Sequence, residues 1–281
     1  MADLLKLPLP EMCALFERSQ ASQNVAMARA VGAADPASGA VVLELRGGIA
    51  VFLGEGHPLN QGLALGLGAP LADAGLDALE ALLGRGGHPI VVELTPGADA
   101  DLGARLARRG YFVRQFQQVW ARGLKDPVVP RAVDGFELRP VESAEESALF
   151  ARLVMAGFTE QDELPPADAP LVIPAVRAAG TTAWIAWQEG RPVAGATVGL
   201  AGNVAALSGC AVLPRFRGRG LQRALLEARL AAAQAAAAEV AVSATVPASI
   251  SAENLMRCGF QAAYPKIEMA NGANGANGNG G

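Results

Sequence analysis

Residues 212–230 read VLPRFRGRGLQRALLEARL, and no other stretch concentrates chemistry so densely. A short apolar strand ends at Pro214, and Arg215, Arg217, Arg219 and Arg223 follow, interleaved with Gly218 and Gly220, before a Leu/Ala-rich helix begins. Glycine lets a backbone approach a ligand closely, and a helix N-terminus offers unpaired N–H groups and about half a positive charge. Guanidinium groups add multidentate donors suited to phosphate. Strand, proline, glycines, arginines and helix in that order are the parts of a pyrophosphate cradle. The same residues also fit a solvated basic loop ahead of a core helix.

Composition makes any such site local. The 281 residues carry a net charge of −4, which argues against a nucleic-acid surface spread over the protein. Hydrophobic residues make up 51% and charged residues 18%, the balance of a globular chain long enough for two domains. No apolar run approaches a membrane span; Glu227, Arg229, Gln234 and Glu239 interrupt the Ala-rich stretch 224–241. The opening MADLLKLPLPEMC lacks the basic start and apolar core of a secretory leader, so a soluble, cytoplasmic protein is expected. Cys13, Cys210 and Cys258 suggest no disulfide framework, and His57 and His88 form no ligand spacing, so no metal is expected.

The elements that must position the turn are legible in the C-terminal half. FELRPV reads as a strand, and a helix follows over 143–156, with Ser143 and Glu146 forming a capping box. A second helix is expected over about 167–179. Three strands over 181–213, the turn, a helix to about Ala238, the strand EVAVSATV, a short helix at 250–258 and the strand FQAAYPKIEM complete the order β-α-α-β-β-β-α-β-α-β. The N-terminal half holds a fainter copy: a hairpin in VVLELRGGIAVFLG, a short strand in LALGLG, a helix at 75–84, the strand PIVVEL, a helix at 100–109 and the strand YFVRQFQQVWAR. At an offset of 149, Leu106, Arg108, Gly110 and Tyr111 stand where Leu255, Arg257, Gly259 and Phe260 stand later. An internal duplication of one α/β unit follows.

With that order in place, Val212–Leu221 resembles the acyl-CoA-binding segment of the GCN5-related N-acetyltransferases, V-x-P-x-x-(R/Q)-x-x-G-x-(G/A). NLMRCGF resembles their second cofactor segment. Dinucleotide and P-loop fingerprints fit worse, since neither the G-x-G-x-x-G placement nor a Lys-Ser/Thr pair is present. The resemblance implies a mixed, mostly antiparallel sheet flanked by helices, in two tandem acetyltransferase-like α/β domains, residues 1–128 a degenerate copy and 135–270 the acyl-CoA-binding domain; composition marks 129–134 as a linker and 271–281 as a disordered Gly/Asn tail. It implies that backbone at Cys210, Ala211, Val212 and Leu213 pairs with the pantetheine arm of acetyl-CoA. Arg217, Gly218, Arg219, Gly220, Leu221 and Gln222 would cradle the pyrophosphate, with Asn254 a polar contact. Gln222 departs from the pattern's Gly or Ala.

Catalytic residues are not readable. Leu255 stands where many members of that family place a tyrosine acid, and NVAALSGCAV holds no carboxylate base. Ser208 and Cys210 fall on one strand face by alternation, where Ser208 is a candidate to hydrogen-bond substrate, and Glu160, Asp162 and Glu163 in GFTEQDELPP are candidates to attract a cationic acceptor. Tyr264 reads as packing. The implied reaction is transfer of an acetyl or other short acyl group to a small-molecule or peptide amine by direct attack, with no nucleic-acid or membrane partner. A non-catalytic acyl-CoA-binding protein is the alternative, and the expected state is a monomer (a pseudo-dimer of its copies) or a homodimer. No arginine occurs from Leu63 to Leu83, so the first copy is expected to bind no CoA.

Overall fold

Helix α1, Leu9–Ala34, begins the fold, with prolines at its N-cap and second position, where a missing N–H does no harm. Sequence periodicity does not announce it. Its buried face mixes Met12, Cys13, Phe16, Ala21 and Ala28 with Glu17, Ser19 and Asn24. The computed structural model describes residues 4–166 and 178–272. The expected helix over 167–179 and the Gly/Asn tail therefore lie essentially outside the described residues.

After α1 the chain forms a hairpin of β1 (Val41–Leu45) and β2 (Gly48–Phe52), then β3 (Gln61–Leu63), α2 (Asp73–Leu83), β4 (Ile90–Leu94), α3 (Leu102–Arg108) and β5 (Phe112–Gly123). The second round runs through β6 (Glu137–Pro140), α4 (Ala144–Phe158), β7 (Thr181–Gln188), β8 (Arg191–Ala201) and β9 (Val204–Val212). It continues with α5 (Leu221–Ala235), β10 (Val240–Thr245), α6 (Ile250–Arg257) and β11 (Gln261–Asn271). The expected cap forms with one departure: the Glu146 amide donates to Ser143 Oγ at 3.1 Å, but the Glu146 carboxylate reaches back past the N-cap and accepts from the Glu142 amide at 2.9 Å.

The two rounds close alike. β3 runs parallel to β4, and β9 parallel to β10. At the ends of α3 and α6, Tyr111 donates to the Leu106 carbonyl and Phe260 to that of Leu255, both at 3.1 Å. Gly110 and Gly259 hold left-handed φ values of 84° and 79° there. One local solution to ending a helix recurs at the expected offset.

Two compact units result, each discontinuous in sequence. One comprises Met1–Val119, Ala244–Ser249 and Ala262–Gly281; the other comprises Trp120–Ser243 and Ile250–Gln261. The first orders its strands β1-β2-β3-β4-β11-β5 and the second β5-β10-β9-β8-β7-β6, so β11, from the end of the chain, pairs antiparallel with β4 in the first unit. The units part at Val119/Trp120, upstream of the junction read at 129–134. The chain around that junction is tied to α5: the Val128 amide donates to Gln234 Oε1 at 2.8 Å, and Arg131 holds the Glu227 carboxylate with two bonds of 2.9 Å.

β11 is anchored in the first unit by a buried polar cluster. Lys266 Nζ donates to Glu93 Oε2 at 2.7 Å, Gln20 Oε1 at 3.1 Å and Glu17 Oε2 at 3.3 Å, while Tyr264 Oη donates to Glu17 Oε1 at 2.8 Å. Burial pushes the Glu17 carboxyl up, against the lowering effect of the Lys266 ammonium. Removing the ammonium leaves two carboxylates buried without their cation. Lys266→Met should destabilise the protein by about 3–5 kcal/mol in urea unfolding, and adding Glu17→Gln and Glu93→Gln should recover much of that loss. A Lys266→Met protein as stable as the parent would show that the cluster does not anchor β11.

Candidate functional site

The site is built on β9. Its antiparallel pairing with β8 runs from Ala201↔Val204 to Thr197↔Ser208, then resumes at Gly195↔Ala211. Gly209 and Cys210 thus oppose the single residue Ala196, a β-bulge, and Gly209 takes φ +56°. The extra residue reverses the strand's parity. Ala205 and Leu207 pack with Leu226, Leu230 and Leu255, whereas beyond the bulge Cys210 and Val212 pack toward Leu221 and Leu225, and Ala211 and Leu213 toward Phe150 and Leu153. Ser208 and Cys210, expected on one face, therefore lie on opposite faces.

On its other edge β9 pairs with β10 only at Val204↔Val240, Ala205↔Ala241 and Ala206↔Val242. Ser243 Oγ then donates to the Leu207 carbonyl at 3.1 Å. From there to Val212 this edge runs outside the parallel ladder, and apart from the Val212 carbonyl, which accepts from Arg217 Nε, its backbone groups are left for an added strand.

β9 leads through Leu213 into the turn. Gly218 and Gly220 take φ +74° and +84°, and a side chain added at either would meet nothing within 4 Å. Backbone conformation, not crowding, demands glycine here. Gly220 is the N-cap of α5 and supplies no side-chain cap; the first helical bond runs from the Ala224 amide to the Gly220 carbonyl at 3.0 Å. The amides of Leu221, Gln222 and Arg223 precede that bond and have no acceptor within the helix. Gln222 and Asn254 are brought together: Asn254 Nδ2 donates to Gln222 Oε1 at 2.6 Å, and Gln222 Nε2 to Ser251 Oγ at 3.2 Å.

The arginines are mostly engaged. Arg217 holds both Glu160 oxygens at 2.6 and 2.9 Å, and also donates to the Val212 carbonyl at 3.1 Å and the Gly157 carbonyl at 3.2 Å. The Arg215 amide donates to Asp162 Oδ1 at 2.8 Å, and its guanidinium to Glu163 Oε1 at 2.9 Å. Arg223 pairs with Glu227 at 3.1 Å. Arg219 stacks over the Phe216 ring at 5.4 Å and makes no ion pair among the described residues. The acids expected to attract an amine instead hold the arginines expected to attract phosphate. The hydrogen bond from Arg217 holds the Glu160 carboxyl below the usual carboxylate range, which makes it a poor base, and Glu160 adopts a left-handed φ of 57°.

Among the described residues no dedicated acid or base emerges. Leu255 is buried in the core. Burial pushes the half-buried Cys210 thiol up, so it is a weak nucleophile. Burial also raises Tyr264, which donates to Glu17 in the first unit. Ser208 shares a 2.9 Å hydrogen bond with the Thr197 hydroxyl. Among the described residues no group of three His, Cys, Asp or Glu side chains is placed to hold a metal ion, and no helix is long and apolar enough to cross a membrane.

In the first unit the corresponding helix start is met from within. Asp73 opens α2, and Arg105 of α3 donates to its Oδ1 at 3.1 and 2.7 Å, beside an open cleft of about 710 Å³ lined also by Arg108 and Arg109. These arginines escaped the reading of 63–83 because they come from a different element.

Residues 148–260 match the model of the acetyltransferase (GNAT) family. Over the whole fold, the chain is similar to a GCN5-related N-acetyltransferase from Kribbella flavida, at 18% identity and TM-score 0.62, covering 89% of this chain and 97% of that one. It is also similar to a putative GNAT-family acetyltransferase from Novosphingobium aromaticivorans, at 19% identity and TM-score 0.55, covering 86% and 96%. A tandem GNAT protein from the clavulanic acid biosynthesis pathway aligns at 16% identity and TM-score 0.56, over 83% of this chain and 79% of that one. No curated protein sequence matches the chain significantly.

The glycine at the helix start has a direct test. Gly220→Ala forces a Cβ into a left-handed conformation with no contact to compensate, so it should lower stability by about 1–2 kcal/mol in thermal unfolding. An unchanged midpoint would show that the turn relaxes without needing positive φ.

Proposed function

We propose, from the match of residues 148–260 to the acetyltransferase (GNAT) family model, that the protein transfers an acetyl or other short acyl group from acetyl-CoA to an amine acceptor. The observation that carries this reading is the continuity of the open β9 edge with the uncapped, glycine-lined start of α5. A long ligand with an extended amide-bearing arm and a pyrophosphate fits both ends. Backbone at Cys210, Ala211, Val212 and Leu213 would hold the arm. The amides of Leu221, Gln222 and Arg223, with Gly218, Gly220 and Arg219, would hold the pyrophosphate, and Gln222 and Asn254 would supply neutral polar contacts.

When bound, acetyl-CoA supplies an activated thioester; the acceptor N–C bond forms as the C–S bond breaks. Because Glu160 is held ionised by Arg217 and β9 bears no carboxylate, the amine's proton leaves to water in this reading, and the released thiolate takes a proton from water. The chain's contribution is positioning and fixed dipoles. Arg217 braces the turn by joining it to the end of α4 and to β9. Arg219 is the guanidinium left for phosphate.

Calorimetry with CoA should find one site per chain. Arg219→Ala should weaken binding about tenfold, the worth of one charge-assisted hydrogen bond. Glu160→Gln should tighten it severalfold at low salt, because the turn loses a competing carboxylate; the gain should fade at high salt. Absence of CoA binding by the wild type would sink the proposal. Binding without turnover on a panel of amines would favour a non-catalytic acyl-CoA-binding protein.

A further inference from the structure

Arg229 lies on the buried stripe of α5, following Leu221 and Leu225 at four-residue spacing, and is 4% exposed. Its Nε donates to the Leu225 carbonyl at 3.1 Å, and its Nη1 to the carbonyls of Thr197 at 3.1 Å and Ser208 at 3.4 Å. No carboxylate lies within ion-pair distance of it among the described residues; the titratable groups that feel it are the thiols of Cys210 and Cys258. Arginine stays charged even when burial opposes it. A buried cation answered only by carbonyls is a costly choice where a leucine would pack.

The carbonyls it answers explain the choice. Thr197 and Ser208 form the last register pair before the bulge, and Gly209 and Cys210 are the residues the register skips. The Thr197 hydroxyl also donates to the Ser208 carbonyl, at 2.9 Å. Two side chains from different elements thus fix one peptide oxygen. Gly209 fits tightly as well, since an added Cβ would press on Thr197 Oγ1 at 3.2 Å.

We propose that Arg229 is a positioning residue for the thioester: by pinning the Ser208 carbonyl it fixes the bulge so that the Gly209 and Cys210 amides face the thioester carbonyl of acetyl-CoA. This rests on the acyl-CoA reading above. The guanidinium charge behind the bulge reinforces those amides in a site of low dielectric, where fixed dipoles and charges act strongly on a carbonyl oxygen.

Calorimetry of acetyl-CoA against CoA tests the inference without knowledge of the acceptor. The wild type should prefer acetyl-CoA by roughly fivefold, the worth of a neutral hydrogen bond. Arg229→Met should lose that preference while keeping the affinity for CoA, whose pyrophosphate end lies at the other end of the turn. Arg229→Lys, which keeps the charge but not the fork, should retain part of the preference. Should Arg229→Met fail to fold, Thr197→Val, which removes the second donor to the same carbonyl, carries the same expectation. A wild type that binds neither ligand overturns both readings. A wild type that binds both equally, or an Arg229→Met protein (or Thr197→Val in its place) that discriminates as well as the wild type, overturns this one alone.

Discussion

A buried strand must find a partner for every backbone N–H and C=O, and β9 cannot do so with its neighbours alone. Its register with β8 breaks at Gly209 and its ladder with β10 stops at Ala206. Side chains from four other places supply donors: the Thr197 hydroxyl and Arg229 at Ser208, the Ser243 hydroxyl at Leu207, and Arg217 at Val212. Each fixes an element relative to the strand: β8, α5, β10 and the turn. The groups these side chains do not reach form the edge on which the functional proposal stands. Satisfying the strand and leaving part of it open are two aspects of one arrangement.

Charge is distributed on the same principle of local balance. The chain is acidic overall, yet its densest basic turn is met by Glu160, Asp162, Glu163 and Glu227. Exposed pairs of this kind contribute at most about 1 kcal/mol each, so they do not hold the fold together. Their consequence is competition. Under the proposed function, an incoming phosphate would meet guanidinium groups already bound to carboxylates, those of Glu160, Asp162 and Glu163 in the loop after α4 and of Glu227 in α5 itself.

Much of this was legible in local sequence. The capping box at Ser143, the paired helix endings at Gly110 and Gly259, and the strand–glycine–helix turn each depend on residues a few positions apart, where types and spacing decide the geometry. What escaped depends on distance or on a single inserted residue. α1 buries Glu17, so its apolar stripe is broken by a carboxylate whose partners, Tyr264 and Lys266, lie on β11. One bulge residue at Gly209 placed Ser208 and Cys210 on opposite faces, defeating a period-2 argument that holds on either side of it. Arg217 and Glu160 are too far apart in the chain for any window to pair them. Arg229 did leave a trace: the Leu221–Leu225–Arg229 spacing puts a charge on a core stripe, which is a signal of a buried obligation.

The two copies then show one physical problem with two answers. In each, parallel strands pair briefly and a helix begins beside them with unsatisfied amides. At α2 the chain places Asp73 in the first turn and backs it with Arg105, so an acid of its own meets the positive end of the helix. At α5 the first turn carries no acid, the N-cap is a glycine without a side chain, and Glu163 and Glu160 are held by Arg215 and Arg217. The same fold is thus neutralised internally in one copy and left to be neutralised from outside in the other. Under the proposed function, that asymmetry would leave one copy as framework and one as site, and the difference lies in a handful of charges around two helix starts.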